Sequence, residues 1–314
     1  MLLSIAHDNQ IQYSAAVSET VMELRMTPRT DRHQSLRGLR IDVGPSAALS
    51  EYRDWLGNHV HQFSVLPPHD QLVIIAQSGV DTHPQHPALA ELREPVPVEV
   101  ELAAMHFLQF GGLVPHDLRL ADLVVRLGLD QCQSFGALLE QLARRLRDEI
   151  AYRKGVTTSG TTLTHALDEG AGVCQDLAHI AIGLLRERGV PARYVSGYVY
   201  RDDGPDELQT HAWCEAWVPS SGWVPIDPTH QRPAGEGHVA VGVGRDYSDV
   251  PPNRGVYHGT AEERIAVEVT MRRVAELPDD LVVPRTFPVV RGEGELAAKH
   301  EERLDYQQEQ QQQQ

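Results

Sequence analysis

Lysine is nearly missing from this chain: only Lys154 and Lys299 occur in 314 residues, so almost all positive charge sits on arginine, which has no amine to offer an acyl group. Positive charge is scarce altogether, with 28 Lys and Arg against 44 Asp and Glu. The resulting net charge of −16 repels phosphate backbones and anionic bilayers. Neither nucleic acid nor a membrane is therefore expected as a partner. No apolar run approaches the ~20 residues that span a bilayer, and the opening MLLSIAHDNQ turns polar too soon for a secretory signal. Three cysteines, an odd number, do not make a disulfide scaffold and fit a reducing compartment. The expected location is cytoplasmic. There is no internal repeat.

Hydrophobic residues, at 41%, are enough in a chain of this length for two domains with separate cores. In residues 1–82, alternating runs such as Met22 to Met26 and Leu39 to Val43 are separated by turn signals at Pro28, Gly44-Pro45 and Gly57-Asn58. Phe63, Val65 and the run Leu72 to Ile75 supply later strands. Half-apolar strands need a second layer, so a β-rich, sandwich-like N-terminal domain is expected. Residues 83–99, with Pro84, Pro87, Pro95 and Pro97, read as a linker. Residues 100–295 form the expected second domain, with its core at 155–235. There, Ala121 to Leu129 and Phe135 to Tyr152 carry helical spacing, with Leu138, Leu142, Leu146 and Ile150 as a core stripe. Ile265 to Val274 and Leu281 to Val283 look like closing strands. Residues 296–314 end almost purely in glutamine and cannot build a core, so a disordered tail is expected.

The chemistry lies between. Gly170 and Gly172 break the preceding structure, and Leu177, Ala181, Leu184, Leu185 and Arg188 then mark one face of a helix that Gly189 stops. Cys174 falls in its first turn, where unpaired N–H groups and the positive end of the helix dipole favour a thiolate over a thiol. Ala192 to Tyr200 reads as a strand. His211 to Val218 alternates, with His211, Trp213, Glu215 and Trp217 on one side, and Trp223 to Ile226 returns after the turn at 219–222. His211 and Asp227 stand near the open end of this hairpin. Simple reflection carries His211 a few residues past Asp227, so a bulge, another register or a diagonal reach must join them. Singly, each residue has a plainer reading: a small buried thiol, a strand-rim histidine, an Asp before Pro opening a turn. Together they suggest a nucleophile system. Cys174 would attack a carbonyl carbon, and His211 would keep the sulfur anionic and later protonate the leaving amine. Asp227 would fix the ring's tautomer. The Cys174 backbone N–H is the first oxyanion donor.

Zinc ligation by Cys174, His211, Cys214 and Asp227 is the competing reading, but positions 211 and 214 point to opposite faces of a strand. No metal and no cofactor is expected. Cys132, in a polar loop, and Cys214 are read as structural. The sixteen histidines, His59 and His61 among them, are read as exposed filler. Asp176 complements the helix dipole. Arg193 and Tyr194 either line a groove or cover the helix.

The stretch GVCQDLAHIAIGLLRERGVPARYVSGYVY, followed by HAWCEAWVPSSGWVPIDPTH, resembles the transglutaminase-like superfamily in its bacterial branch. The likeness runs from about Thr161 to Thr229. GRDYSDVPP and GVY, which follow, resemble the extension found after the core in these bacterial proteins. Tyr13, Pro28-Arg29, Gln34 and Asp54 to Asn58 are similar to scattered markers of a β-rich domain that precedes it. The resemblance implies an α+β protein, with a papain-like core of helices packed on an antiparallel sheet behind the N-terminal domain. It also implies Cys174, His211 and Asp227 as the catalytic triad and acyl transfer from an amide through a thioester, the substrate being a protein or peptide. Animal transglutaminases that crosslink carry a Trp upstream of the Cys as an oxyanion donor, whereas the tryptophans here are Trp55, Trp213, Trp217 and Trp223. That departure favours peptidase or amidase hydrolysis over Gln-Lys crosslinking, with Tyr152 or a Gln side chain as alternative donor. A non-catalytic interaction module of the same fold is the other class of reading, and retention of all three triad residues argues against it.

Overall fold

The computed structural model describes residues 1–83, 88–96, 100–202, 207–208, 210–279 and 281. The N-terminal region holds β1 (Leu2–Leu24), β2 (Gln34–Gly44), β3 (Ser50–Arg53), β4 (His59–Val65) and β5 (His69–Thr82). Where alternation suggested short strands, β1 is one strand of 23 residues. Its first half pairs with β5 and its second half with β4. The change of partner coincides with a register shift between Gln12 and Val17, and Glu19 takes φ 52. A bulge of this kind bends a strand, so the sheet curls over a shared core of Ile11, Val17, Leu24, Ile41, Phe63, Leu72 and Ile74. The expected second layer is thus supplied by the same sheet.

The second region runs through α1 (Arg119–Arg126), α2 (Phe135–Glu149), β6 (Ala151–Tyr152), α3 (Leu163–Glu169), β7 (Ala171–Gly172), α4 (Cys174–Glu187), β8 (Ala192–Val199), β9 (Glu207–Leu208), β10 (His211–Val218), β11 (Gly222–Asp227), β12 (Arg232–Pro233) and β13 (His238–Gly244). An antiparallel sheet in the order β12-β11-β10-β8-β13 forms its floor. Alternate residues of β10, Ala212, Cys214, Ala216 and Val218, face α4, whose Leu177, Ile180, Ala181, Leu184 and Leu185 are buried against them. The α2 stripe of Leu138, Leu142, Leu146 and Ile150 lies in the same core. Gly189, at φ 71, ends α4 in the left-handed conformation that favours glycine. Helices on an antiparallel sheet behind a β-rich domain is the α+β architecture expected.

The two regions interlock. β14 (Asn253–His258) and β15 (Glu263–Arg273) return to the first sheet and pair with β1. Residues 100–295 are therefore not one continuous domain: the closing strands complete the N-terminal one. The stretch taken as a linker also differs, since Leu89 and Leu92 are buried in the helical core. Residues 296–314 and Val282-Val283 lie outside the described residues. Two side-chain amides clamp the free edge of β13. Gln34 donates from Nε2 to Ala240 O (2.8 Å) and accepts from Ala240 N (2.8 Å), and Asn58 does the same with Val243 O (2.9 Å) and N (2.8 Å).

Candidate active site

Cys174 is the first residue of α4, and the turn before it is pinned by Asp176. This carboxylate is buried, and its Oδ2 accepts from Val173 N (2.8 Å) and from Thr157 Oγ1 (2.7 Å). Asp176 thus holds the strand-to-helix junction beyond complementing the dipole. A Cβ on Gly172 would stand 2.5 Å from that oxygen, which is why glycine precedes the junction. The first helical bond runs from Leu177 N to Val173 O (3.1 Å), leaving the N–H groups of Cys174, Gln175 and Asp176 outside the ladder. Unpaired donors at a helix start are suited to a developing oxyanion.

His211 opens β10 and Asp227 closes β11. Their strands pair with Cys214 opposite Ile226 and Val218 opposite Gly222. Extending that register puts Asp227 opposite Trp213, on the face His211 shares two residues away. The gap is closed diagonally, without a bulge. His211 Nε2 donates to Asp227 Oδ2 at 2.8 Å, and the ring shares its cleft with Cys174, whose charge acts on it. With Nε2 committed to Asp227, the nitrogen left for the sulfur is Nδ1. Burial pulls the imidazole down, but its hydrogen bond to Asp227 and the charges of Asp227 and Cys174 push it up to about 9. Burial would likewise raise Asp227, yet hydrogen bonds from His211, His230 and His238 hold it well below the usual carboxylate range.

Those two further histidines are the main feature that sequence reasoning missed. His230 Nδ1 lies 2.6 Å and His238 Nε2 3.0 Å from Asp227 Oδ2. Oδ1 accepts from the backbone N–H of Thr229 (3.0 Å) and His230 (3.2 Å). Four potential metal-ligand atoms, from His211, Asp227, His230 and His238, thus lie within 4.8 Å of one another. The tautomer of His238 argues for hydrogen bonding instead. Its Nδ1 accepts from Gly235 N–H (3.1 Å), so in the neutral ring the proton is on Nε2 and no lone pair faces the cluster. The general reading of histidine as exposed filler fails here, and His7, His61 and His179 are buried as well. The usable signal was His230 closing the Asp-Pro-Thr-His turn; nothing local marks His238.

The cleft beside Cys174 has a volume of about 720 Å³. Tyr152, Tyr194, His211 and His230 line one side, while His7 and Asn9 of β1 and Ile265 and Val267 of β15 line the other. The N-terminal sheet is therefore a wall of the cleft. None of the tryptophans lines it: Trp55 is exposed beside His106 and Arg245, Trp213 is buried behind His211, and Trp217 packs against Trp223. Gln175 is engaged through Nε2 with Ser159 O (3.0 Å). Tyr152 is held next to Cys174 by the β6–β7 pairing, in which it stands opposite Gly172. Tyr194 is in the cleft, whereas Arg193 bonds Glu215 Oε2 (2.6 Å) and covers the Trp223 ring. Cys214 faces α4, and Cys132, placed in a polar loop by its neighbours, turns its side chain into the helical core.

Residues 130–228 match the family model described as Transglutaminase-like superfamily, and residues 3–81 match the Bacterial transglutaminase-like N-terminal region. An uncharacterized protein of Mycobacterium leprae is 30% identical over 285 residues, covering 87% of this chain and 99% of its own. A protein-glutamine gamma-glutamyltransferase of Pseudomonas aeruginosa is 37% identical over 105 residues, which is 30% of this chain and 16% of that protein. Among solved structures, a "putative cysteine protease" from Cytophaga hutchinsonii shares the fold at TM-score 0.73 and 23% identity, covering 88% of this chain and 93% of that one.

Proposed function

This chain belongs to the transglutaminase-like superfamily, with the N-terminal region of the bacterial branch, and we propose that it cleaves amide bonds in a protein or peptide through a thioester on Cys174. One observation carries the reading: His211 Nε2 bonds Asp227 at 2.8 Å while its ring and Cys174 line the same cleft of about 720 Å³. The Cys174 sulfur attacks the amide carbon, forming an S–C bond, and the carbonyl electrons move onto oxygen beside the helix-start N–H groups. As that intermediate collapses, the C–N bond breaks and His211 passes its proton to the leaving nitrogen. Water, deprotonated by His211, then attacks the thioester and releases the acid and the free thiol. Asp227 holds the ring throughout. Tyr152, which brings an O–H to the cleft beside Cys174, is the second oxyanion donor in this scheme.

Water as acceptor is favoured because no tryptophan lines the cleft. Transfer to an amine is the second reading, supported by the likeness to the Pseudomonas gamma-glutamyltransferase. Mass spectrometry of a Gln-containing peptide incubated with and without a primary amine separates the two. Acid or cleaved peptide supports hydrolysis, and an amine conjugate supports transfer. Equal product from Cys174→Ala would overturn both.

A further inference from the structure

Asp227 is completely buried and collects more hydrogen-bond donors than a partner for His211 requires. Its Oδ1 is satisfied by the backbone of the 228–230 turn, while Oδ2 is met by three imidazoles arriving from different parts of the fold. His211 comes from β10, His230 from the turn after β11, and His238 from the start of β13. His238 is buried, its ring edge-on to Trp213 (5.2 Å between centroids). The Gly235 amide donates to Nδ1 and leaves Nε2–H aimed at the carboxylate.

We propose that His238 is a positioning residue for the acyl-transfer reaction: tautomer-locked by the Gly235 amide, it serves as an uncharged donor that aims the Asp227 carboxylate at His211. This inference rests on the proposed role of the triad. Its physical point is the absence of charge. A carboxylate buried in protein needs donors to stay ionised, but a cation beside Asp227 would compete with the His211 imidazolium for the same negative charge and lower the ring's proton affinity. Burial holds His238 below the usual histidine range despite Asp227, so it donates without contributing positive charge. The charged and titratable groups around it are Asp227, His211 and Arg232, and His230 shares the same carboxylate oxygen.

The test compares His238→Gln, whose amide can still donate, with His238→Leu, which cannot, and His238→Lys, which donates but adds charge. Two readouts are followed: kcat and KM on a peptide amide, and the His211 titration by NMR, which needs no turnover. Expected are a near-wild-type Gln variant and a Leu variant with kcat lowered roughly 10- to 100-fold at unchanged KM, the effect of losing a charge-assisted hydrogen bond. The His211 midpoint should fall in both the Leu and Lys variants. Should these two fail to fold, the wild-type protein decides by NMR, which should show His238 carrying its proton on Nε2 and staying uncharged while His211 titrates. A wild-type His211 midpoint in the Leu variant, or a His238 that carries its proton on Nδ1 in the wild-type protein, overturns the proposal. If the wild-type protein lacks amidase activity, the functional reading fails, and the titration still decides the positioning role.

Discussion

Asn58 meets Val243 as a neighbouring strand residue would, its side-chain amide donating to the carbonyl at 2.9 Å and accepting the N–H at 2.8 Å. Both partners are buried, and the pairing falls beside the register shift in β13 between Ala240 and Gly242. Replacing Asn58 with Ala strands two buried backbone groups, at about 1–3 kcal/mol each. Urea unfolding should show a loss of ~2–6 kcal/mol on that basis. A loss too small to measure would mean that the clamp is dispensable for docking the two regions.

The pH dependence follows from His211. Its ring is raised from 6.5 to about 9 in the folded protein, so the stability contributed by its charge is complete below about 6.5 and is lost as pH rises through about 9. In the proposed amide cleavage the same proton goes to the leaving amine. Amidase kcat/KM should therefore decline above about pH 9, and the melting temperature should drop over the same interval in the wild type but less in His211→Gln. A wild-type melting profile flat to alkaline pH and parallel to that of His211→Gln would refute the assignment.

Tyr152 is half-exposed and contributes little to the core, so its hydroxyl can be removed without unfolding the chain. Tyr152→Phe should lower kcat by about 100-fold with little change in KM, as loss of one oxyanion donor does. Steady-state kinetics with unaltered kcat would assign the second donor elsewhere.

Val267, half-exposed on β15, tests the role of the N-terminal sheet as a cleft wall. Val267→Asp should raise KM for a peptide by roughly tenfold, the scale of spoiling one apolar contact. Alkylation of Cys174 by iodoacetamide, a reagent too small to need that wall, should keep its rate. Equal slowing of both would point to distortion of the site instead.

Much of the local structure could be read directly from the chain. The glycine-bounded start of α4, the apolar face of Leu177, Ala181, Leu184 and Leu185, and the alternation of His211 to Val218 each encode a backbone period, and all three appear where expected. Gln34 and Asn58, noted only as scattered markers, turn out to clamp β13. The diagonal approach of His211 to Asp227 could not be chosen from the hairpin alone, because register depends on which face the sheet buries against α4. Nor could the return of β14 and β15 to β1, since an edge strand's partner is settled by which free edge lies within reach.

By itself the sequence determined which chemical groups are present and what local backbone carries them: a thiol at a helix start, an imidazole and a carboxylate on neighbouring strands. Periodicity and turn chemistry act over a few residues and need no distant partner. Only the tertiary structure decided that His230 and His238 converge on Asp227 and that β1 and β15 wall the cleft. His230 reaches Asp227 within one turn, but His238 arrives from the next strand and β1 and β15 from the other region, and those positions are set by packing two curled layers against each other.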